Sequence, residues 1–156
     1  MADFVHRLEV RFRDCDPMGH ANNAVYFTYL EQTRFAHWRS LWPSTGAGHP
    51  EPADGWDFRT PQLPPGMPGV ILAHAEMDYK RPVKYGDVID IRLRIVELGR
   101  TSFRYEYEIV DATQRLVATA RTVQVMYDYQ AARPVPIPDA LRQLLTGAPA
   151  GRREPR

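Results

Sequence analysis

Cysteine occurs once in the 156 residues, at Cys15, so no internal disulfide can form and no set of thiols can frame a metal. A chain that holds together without disulfides fits a reducing compartment, and a cytoplasmic location is expected. Long apolar runs are also missing. None approaches the roughly 18–20 residues that span a bilayer, and the opening MADFVHRLEVRF lacks the charged-then-apolar layout of a secretory leader. Neither sign of charge dominates: 20 Lys and Arg face 19 Asp and Glu, so no broad field draws in nucleic acid or an anionic membrane surface. There is no Gly-rich phosphate loop, no metal-ligand cluster and no Ser-His-Asp order. What remains is the composition of an ordinary globular domain, 44% hydrophobic and 25% charged, in a chain long enough for one core.

Pattern along the chain supplies the elements. Residues 4–13 predict a strand, with Val5, Leu8, Val10 and Phe12 nearly alternating. DPMGHANN interrupts it: Pro17 and Gly19 are loop residues, and Asn22 or Asn23 can cap a following helix. From Ala24 to Trp42 neither Gly nor Pro intervenes. Phe27, Leu30, Phe35, Trp38, Leu41 and Trp42 fall within an arc of roughly 140° on a helical projection, while Val25, Tyr29 and Ala36 form a second apolar patch. An apolar surface on two sides predicts an enclosed helix, with Glu31 and Arg34 as a mutual ion pair at its edge.

Residues 43–69 hold seven of the fourteen prolines and show no periodicity, which predicts an irregular excursion in which Trp56 and Phe58 pack on something. Four alternating runs follow. Their expected shared faces are Ile71, Ala73, Ala75, Met77 and Tyr79; then Ile89, Ile91, Leu93 and Ile95; then Phe103, Tyr105, Tyr107 and Ile109; and, less cleanly, Val123, Val125 and Tyr127. Pro138 to Leu145 predicts a short helix and 147–156 a solvated tail. The expected whole is one α+β domain over 1–146: an antiparallel sheet of about five strands whose only available partner layer is the long helix.

The segment FRDCDPMGHANNAVYFTYLEQTR, residues 12–34, resembles the signature of hot-dog-fold acyl-CoA thioesterases of the 4-hydroxybenzoyl-CoA thioesterase type. That signature is an Asp-x-Asp-x-x-Gly stretch, a small helix-opening Asn, a Tyr, and a Glu and Arg on the helix. MDYKRPVKYGDVIDIRLRIVELGRTSFRYEYEI, residues 77–109, is similar to the family's second block, in which Tyr and Arg-Pro precede a Gly-Asp turn. The resemblance implies the hot-dog fold, a long central helix wrapped by a curved antiparallel sheet. It also implies homodimers or homotetramers with sites at the subunit boundary, and hydrolysis of an acyl-CoA to free acid and coenzyme A. By position in the motif, Asp16 is the catalytic carboxylate, Gly19, His20 and Asn23 complete the catalytic set, and Asp14 is a structural residue. Asn22, Tyr26, Lys80, Arg81 and Arg100 are implied in substrate binding. No metal and no cofactor are expected beyond the coenzyme A carried by the substrate.

The chemistry fits these residue types. A thioester carbonyl is already activated and its thiolate leaves readily, so hydrolysis needs a base or nucleophile and a group to hold the developing oxyanion. Asp16 can deprotonate water or attack directly to give a mixed anhydride. The start of a helix, with about four backbone N–H groups lacking intrahelical partners, supplies the second requirement, and Asn23 is positioned to offer its amide. Plainer roles stand beside these. Asp16 before Pro17 is also a turn-former, His20 also a loop-packing residue, Asn22 and Asn23 also caps, Tyr26 also core. Cys15 lacks a paired base. His74 and Glu76 lie opposite the apolar set, solvated or at an interface. Lys80, Arg81, Lys84 and Arg100 are candidates for the phosphates of coenzyme A. An enoyl-thioester hydratase and a non-catalytic acyl-CoA-binding module are the alternatives; the hydratase usually needs a differently spaced Asp-His pair than Asp16 and His20.

Overall fold

A computed structural model describes residues 4–41 and 68–147. In chain order these form β1 (Phe4–Glu9), a 3-10 turn (Phe12–Asp14), α1 (Val25–Leu41), β2 (Gly69–Tyr79), β3 (Val88–Leu98), β4 (Ser102–Asp111), β5 (Leu116–Asp128), a two-residue β6 (Arg133–Pro134) and α2 (Asp139–Thr146). The strands build one antiparallel sheet in the order β1-β3-β4-β5-β2, with β6 paired to the end of β5. The first strand thus lies beside the third, and β2 becomes an edge. One face of the sheet packs on α1 through the contacts Trp38–Phe103, His37–Tyr105 and Phe4–His37.

Alternation is cleanest where it is confirmed. Ile89, Ile91 and Leu93 of β3 and Phe103, Tyr105, Tyr107 and Ile109 of β4 are fully buried, and the α2 expected near Pro138–Leu145 buries Leu141 and Leu145. Elsewhere the inward face differs from the expected one. In β1 it is Phe4, His6 and Leu8, followed by buried Val10, whereas Val5 is 51% and Phe12 78% exposed. The strand ends at Glu9, short of residue 13, because Asp14 draws the chain into a turn by accepting the Arg11 amide.

In α1 the buried residues are Tyr26, Tyr29, Leu30, Thr33 and His37, and Phe35 stands 49% exposed. Thr33 and His37 belong inside because each has a partner there: Thr33 Oγ1 donates to the Tyr29 carbonyl at 2.8 Å, and His37 Nδ1 lies 3.0 Å from the Tyr105 hydroxyl. At about 100° per residue, Phe35 lies half a turn from Tyr26, so Phe27 and Phe35 of the expected arc stand outward, while Leu30 is buried and Trp38 and Leu41 pack against the core. Arg34 does not pair with Glu31; its positive charge acts instead on the Tyr107 phenol, countering the upward push of burial.

A bulge between Leu72 and His74 reverses the faces of β2, so Val70 joins Met77 against the core while Ile71 and Ala73 leave it. In β5 the buried face is Ala118, Ala120, Thr122, Gln124 and Met126, one residue out of step with the expected Val123, Val125 and Tyr127. Polar Thr122 and Gln124 are inside because they bond one another at 2.6 Å and Thr122 bonds the Tyr107 hydroxyl at 2.9 Å. Trp42, Trp56, Phe58, the excursion from 43 to 67 and the tail beyond Gly147 lie outside the described residues.

Candidate active site

The loop between the 3-10 turn and α1 is closed at its base by an isolated bridge between Cys15 and Ala21. Within it, Asp16 N–H donates to His20 O at 3.0 Å and Gly19 N–H to Asp16 O at 2.9 Å. Gly19 has φ +83°, a left-handed conformation that side chains with a Cβ rarely adopt. The Asp16 carboxylate is half-buried; one oxygen accepts the Met18 amide at 2.9 Å, and no described residue bonds the other. One carboxylate oxygen of Asp16 thus shapes the turn, the plainer role expected of an Asp before Pro17, and the other is left without a bond to a described residue.

Asp14 is the buried member of the pair. Its carboxylate takes the Arg11 amide at 3.0 Å, the Arg11 guanidinium at 2.9 Å and the Tyr29 hydroxyl at 2.8 Å. Burial alone would raise its pKa, but these bonds outweigh that and hold it below the usual carboxylate range. Burial, together with the hydrogen bond to the Asp14 carboxylate, drives the Tyr29 phenol upward.

The same loop consumes the amides at the start of α1 selectively. Asn22 N–H donates to Asp14 O at 2.8 Å, Ala24 N–H to Asn22 Oδ1 at 2.9 Å, and Val25 N–H to Asn22 O at 3.0 Å. Among these consecutive donors, Asn23 N–H alone has no acceptor among the described residues. The capping role foreseen for Asn22 or Asn23 falls to Asn22. Asn23 is exposed, and its carbonyl accepts the Tyr79 hydroxyl at 2.6 Å. Tyr79 meets buried Tyr26 edge-on, with ring centroids 5.2 Å apart. The sequence places Tyr79 on a strand face and in the block before the Gly-Asp turn, with no role in the site; its link to the helix start depends on the β2 edge passing that point, which no local pattern encodes.

Asp16, Gly19, His20, Asn22, Asn23 and Tyr26 thus share one end of the sheet. Lys80 and Arg81 join them there, their backbone amides both donating to Val117 O. Arg81 also donates from its guanidinium to Leu116 O at 3.0 Å, while Lys80 and Lys84 are exposed without an ion-pair partner among the described residues. His20 is exposed and its side chain does not bond Asp16. Arg100 does not join the group within one chain: it lies in the β3–β4 turn, and the eleven residues of β3 separate the two ends by roughly 33 Å. Cys15 is half-buried with its thiol 3.9 Å from Arg11 O, and His74 and Glu76 form an exposed pair at 3.3 Å. On the sheet's outer face a groove of about 380 Å³ is lined by ion-paired Arg94, Arg121, Glu76 and Glu106, whose charges compensate one another. Among the described residues no three His, Cys, Asp or Glu side chains are grouped to hold a metal.

A long helix packed along an antiparallel sheet, with a half-free carboxylate and the unspent Asn23 amide at the helix start, has the architecture of a hot-dog domain. The family model of the thioesterase-like superfamily matches residues 10–145, and the chain belongs to that superfamily. It is 30% identical over 145 residues to a 1,4-dihydroxy-2-naphthoyl-CoA hydrolase of Synechococcus elongatus, covering 93% of this chain and 96% of that one. A Thermus thermophilus thioesterase crystallised with coenzyme A and zinc is 31% identical, with a TM-score of 0.70 over 92% of both chains. The fold is shared with a 1,4-dihydroxy-2-naphthoyl-CoA thioesterase from Synechocystis, which is 19% identical and has a TM-score of 0.75 over 96% of this chain and 99% of that one.

Proposed function

We propose that the chain hydrolyses an acyl-CoA to the free carboxylic acid and coenzyme A, using Asp16 as general base or nucleophile and the Asn23 amide as oxyanion donor. The observation that carries this is the selective accounting at the helix start, where the neighbours of Asn23 spend their amides within the loop and Asn23 does not. A thioester oxygen seated on that N–H gains a donor that needs no reorganisation, with the positive end of the helix dipole behind it. In the general-base course, Asp16 accepts a proton from water as the water oxygen bonds the carbonyl carbon. Collapse of the tetrahedral adduct then breaks the C–S bond, and coenzyme A leaves as the thiolate. In the nucleophilic course a carboxylate oxygen of Asp16 bonds the carbonyl carbon, the C–S bond breaks to release coenzyme A as the thiolate, and water then cleaves the mixed anhydride to the free acid and the Asp16 carboxylate.

The names of the relatives support coenzyme A as the thiol. Exposed Lys80 and Lys84 beside the site suit its phosphates. The β2 edge, Gly69–Tyr79, supports a homodimer joined edge to edge, since it pairs with no described strand on its outer side. An antiparallel pairing about a two-fold axis would bring Arg100 of the partner subunit toward the end that holds Lys80 and Arg81. A cytoplasmic location belongs to the same reading, supported by the lone Cys15 and by the absence, among the described residues, of a helix long and apolar enough to cross a membrane.

The test is release of free thiol from a panel of aliphatic and aromatic acyl-CoA esters by the wild-type chain, Asp16→Asn and Asp16→Ala, with circular dichroism to verify folding. Wild-type turnover on at least one ester and its near-complete loss in both folded variants is the expected result. Near-normal turnover by the variants would overturn the role of Asp16 and shift attention to Glu31 on α1.

A further inference from the structure

We propose that Tyr79 is a positioning residue for this reaction: its hydroxyl, bonded to the Asn23 carbonyl, holds the free Asn23 amide at the start of α1 in the direction from which it meets the thioester oxygen. The inference rests on the hydrolase reading above and names a device inside the same site.

Asn23 sits where the chain has few other constraints. It is exposed, it precedes the first helical residue, and its side chain bonds nothing among the described residues. The peptide before it is anchored at the Asn22 carbonyl, which accepts the Val25 amide at 3.0 Å. On its far side the carbonyl of Asn23 accepts the Tyr79 hydroxyl at 2.6 Å, across 56 positions of sequence, and no other described residue is bonded to it. Two anchored peptides on either side of one residue leave its φ and ψ little freedom, and φ sets the direction of its N–H. An oxyanion donor gains its value from being fixed in advance of the reaction, so a loose Asn23 would lose much of it.

Tyr79 is itself built to hold still. Its ring lies edge-on against buried Tyr26 in the first turn of α1, and its own peptide pairs with Ala118 of β5. Burial raises the Tyr79 phenol, so the hydroxyl keeps its proton and remains a donor across the working pH range. Packing against Tyr26 and bonding to Asn23 are separable, because phenylalanine keeps the first and removes the second.

The experiment compares wild type, Tyr79→Phe and Tyr79→Leu in full-length protein. Steady-state thiol release is measured on the best ester of the panel, and the order of the Asn23 N–H vector is followed by 15N relaxation in NMR. The expected result for Tyr79→Phe is a kcat lower by about tenfold, less than the 10²–10³ lost when such a donor is removed outright, with KM near the wild-type value and a lower Asn23 order parameter. Wild-type kcat in Tyr79→Phe with a loss only in Tyr79→Leu would show a packing role and overturn the proposal. A change confined to KM would show substrate contact and overturn it equally. If wild type releases no thiol from any ester, the hydrolase reading fails by itself. The Asn23 order parameter then still decides whether Tyr79 holds that peptide, and an unchanged value in Tyr79→Phe overturns the proposal.

Discussion

The Tyr29 hydroxyl donates to the Asp14 carboxylate at 2.8 Å, and through that bond the second turn of α1 holds the loop that leads into it. The Asp14 backbone carbonyl takes the Asn22 amide, so one residue uses its side chain to grip the helix and its main chain to shape the helix start. The loop carrying Asp16 is braced from beneath by this arrangement.

Asp14→Asn is expected to lower stability by about 1–3 kcal/mol, since it removes the charge that the Arg11 and Tyr29 bonds are built around. The folded pKa of Asp14 lies below its unfolded value. Its contribution is therefore complete above about pH 4 and disappears as pH falls toward the folded value. Chemical denaturation of wild type and variant at several pH values checks this: the gap between them should narrow below pH 4, and a gap constant down to pH 2 would contradict it.

His37 gives a second acid dependence at higher pH. Burial lowers its pKa to about 4, so it stays neutral in the fold and binds a proton readily only when the chain unfolds. Its contribution is present above the unfolded value near 6.5 and declines as pH falls toward 4. About 2 kcal/mol should be lost between pH 7 and pH 5 from this group. His37→Phe, which keeps ring packing against Phe4 and Tyr105, should flatten that part of the profile in thermal or urea melts.

Gln124 is 2% exposed, and its side-chain carbonyl oxygen has no hydrogen-bond partner while its amide nitrogen bonds Thr122 at 2.6 Å. A buried acceptor without a donor opposes folding, and an unbranched apolar side chain of similar length removes the penalty. Gln124→Met is expected to raise stability by about 1 kcal/mol, read as a higher melting temperature. A lower melting temperature would show that the bond to Thr122 matters more than the unfilled acceptor.

Much of the architecture was legible from residue order because period-two alternation reports a buried face without reference to partners. β3 and β4 show this: Ile89, Ile91 and Leu93, and Phe103 to Ile109, alternate with charged residues and are inward as expected. The position of the long helix followed from the Gly- and Pro-free run after Asn23, and the crowding of polar groups before it marked the candidate site. Where alternation was traced through apolar residues alone it failed. Thr33, His37, Thr122 and Gln124 are all inward: Thr33 bonds the preceding turn, His37 and Thr122 bond tyrosines of β4, and Gln124 bonds Thr122 through its amide nitrogen only.

By itself, then, the sequence determined the kinds of elements, their order and the place where reactive groups gather, since these follow from local periodicity and from residues that break it. Tertiary structure alone decided which side of α1 and β5 is buried, where β2 reverses its faces, and which amide at the helix start stays free. Those outcomes depend on hydrogen-bond partners that arrive from distant segments, Asp14 on one side of Asn23 and Tyr79 on the other, and a buried polar group is tolerated only once such a partner is in place.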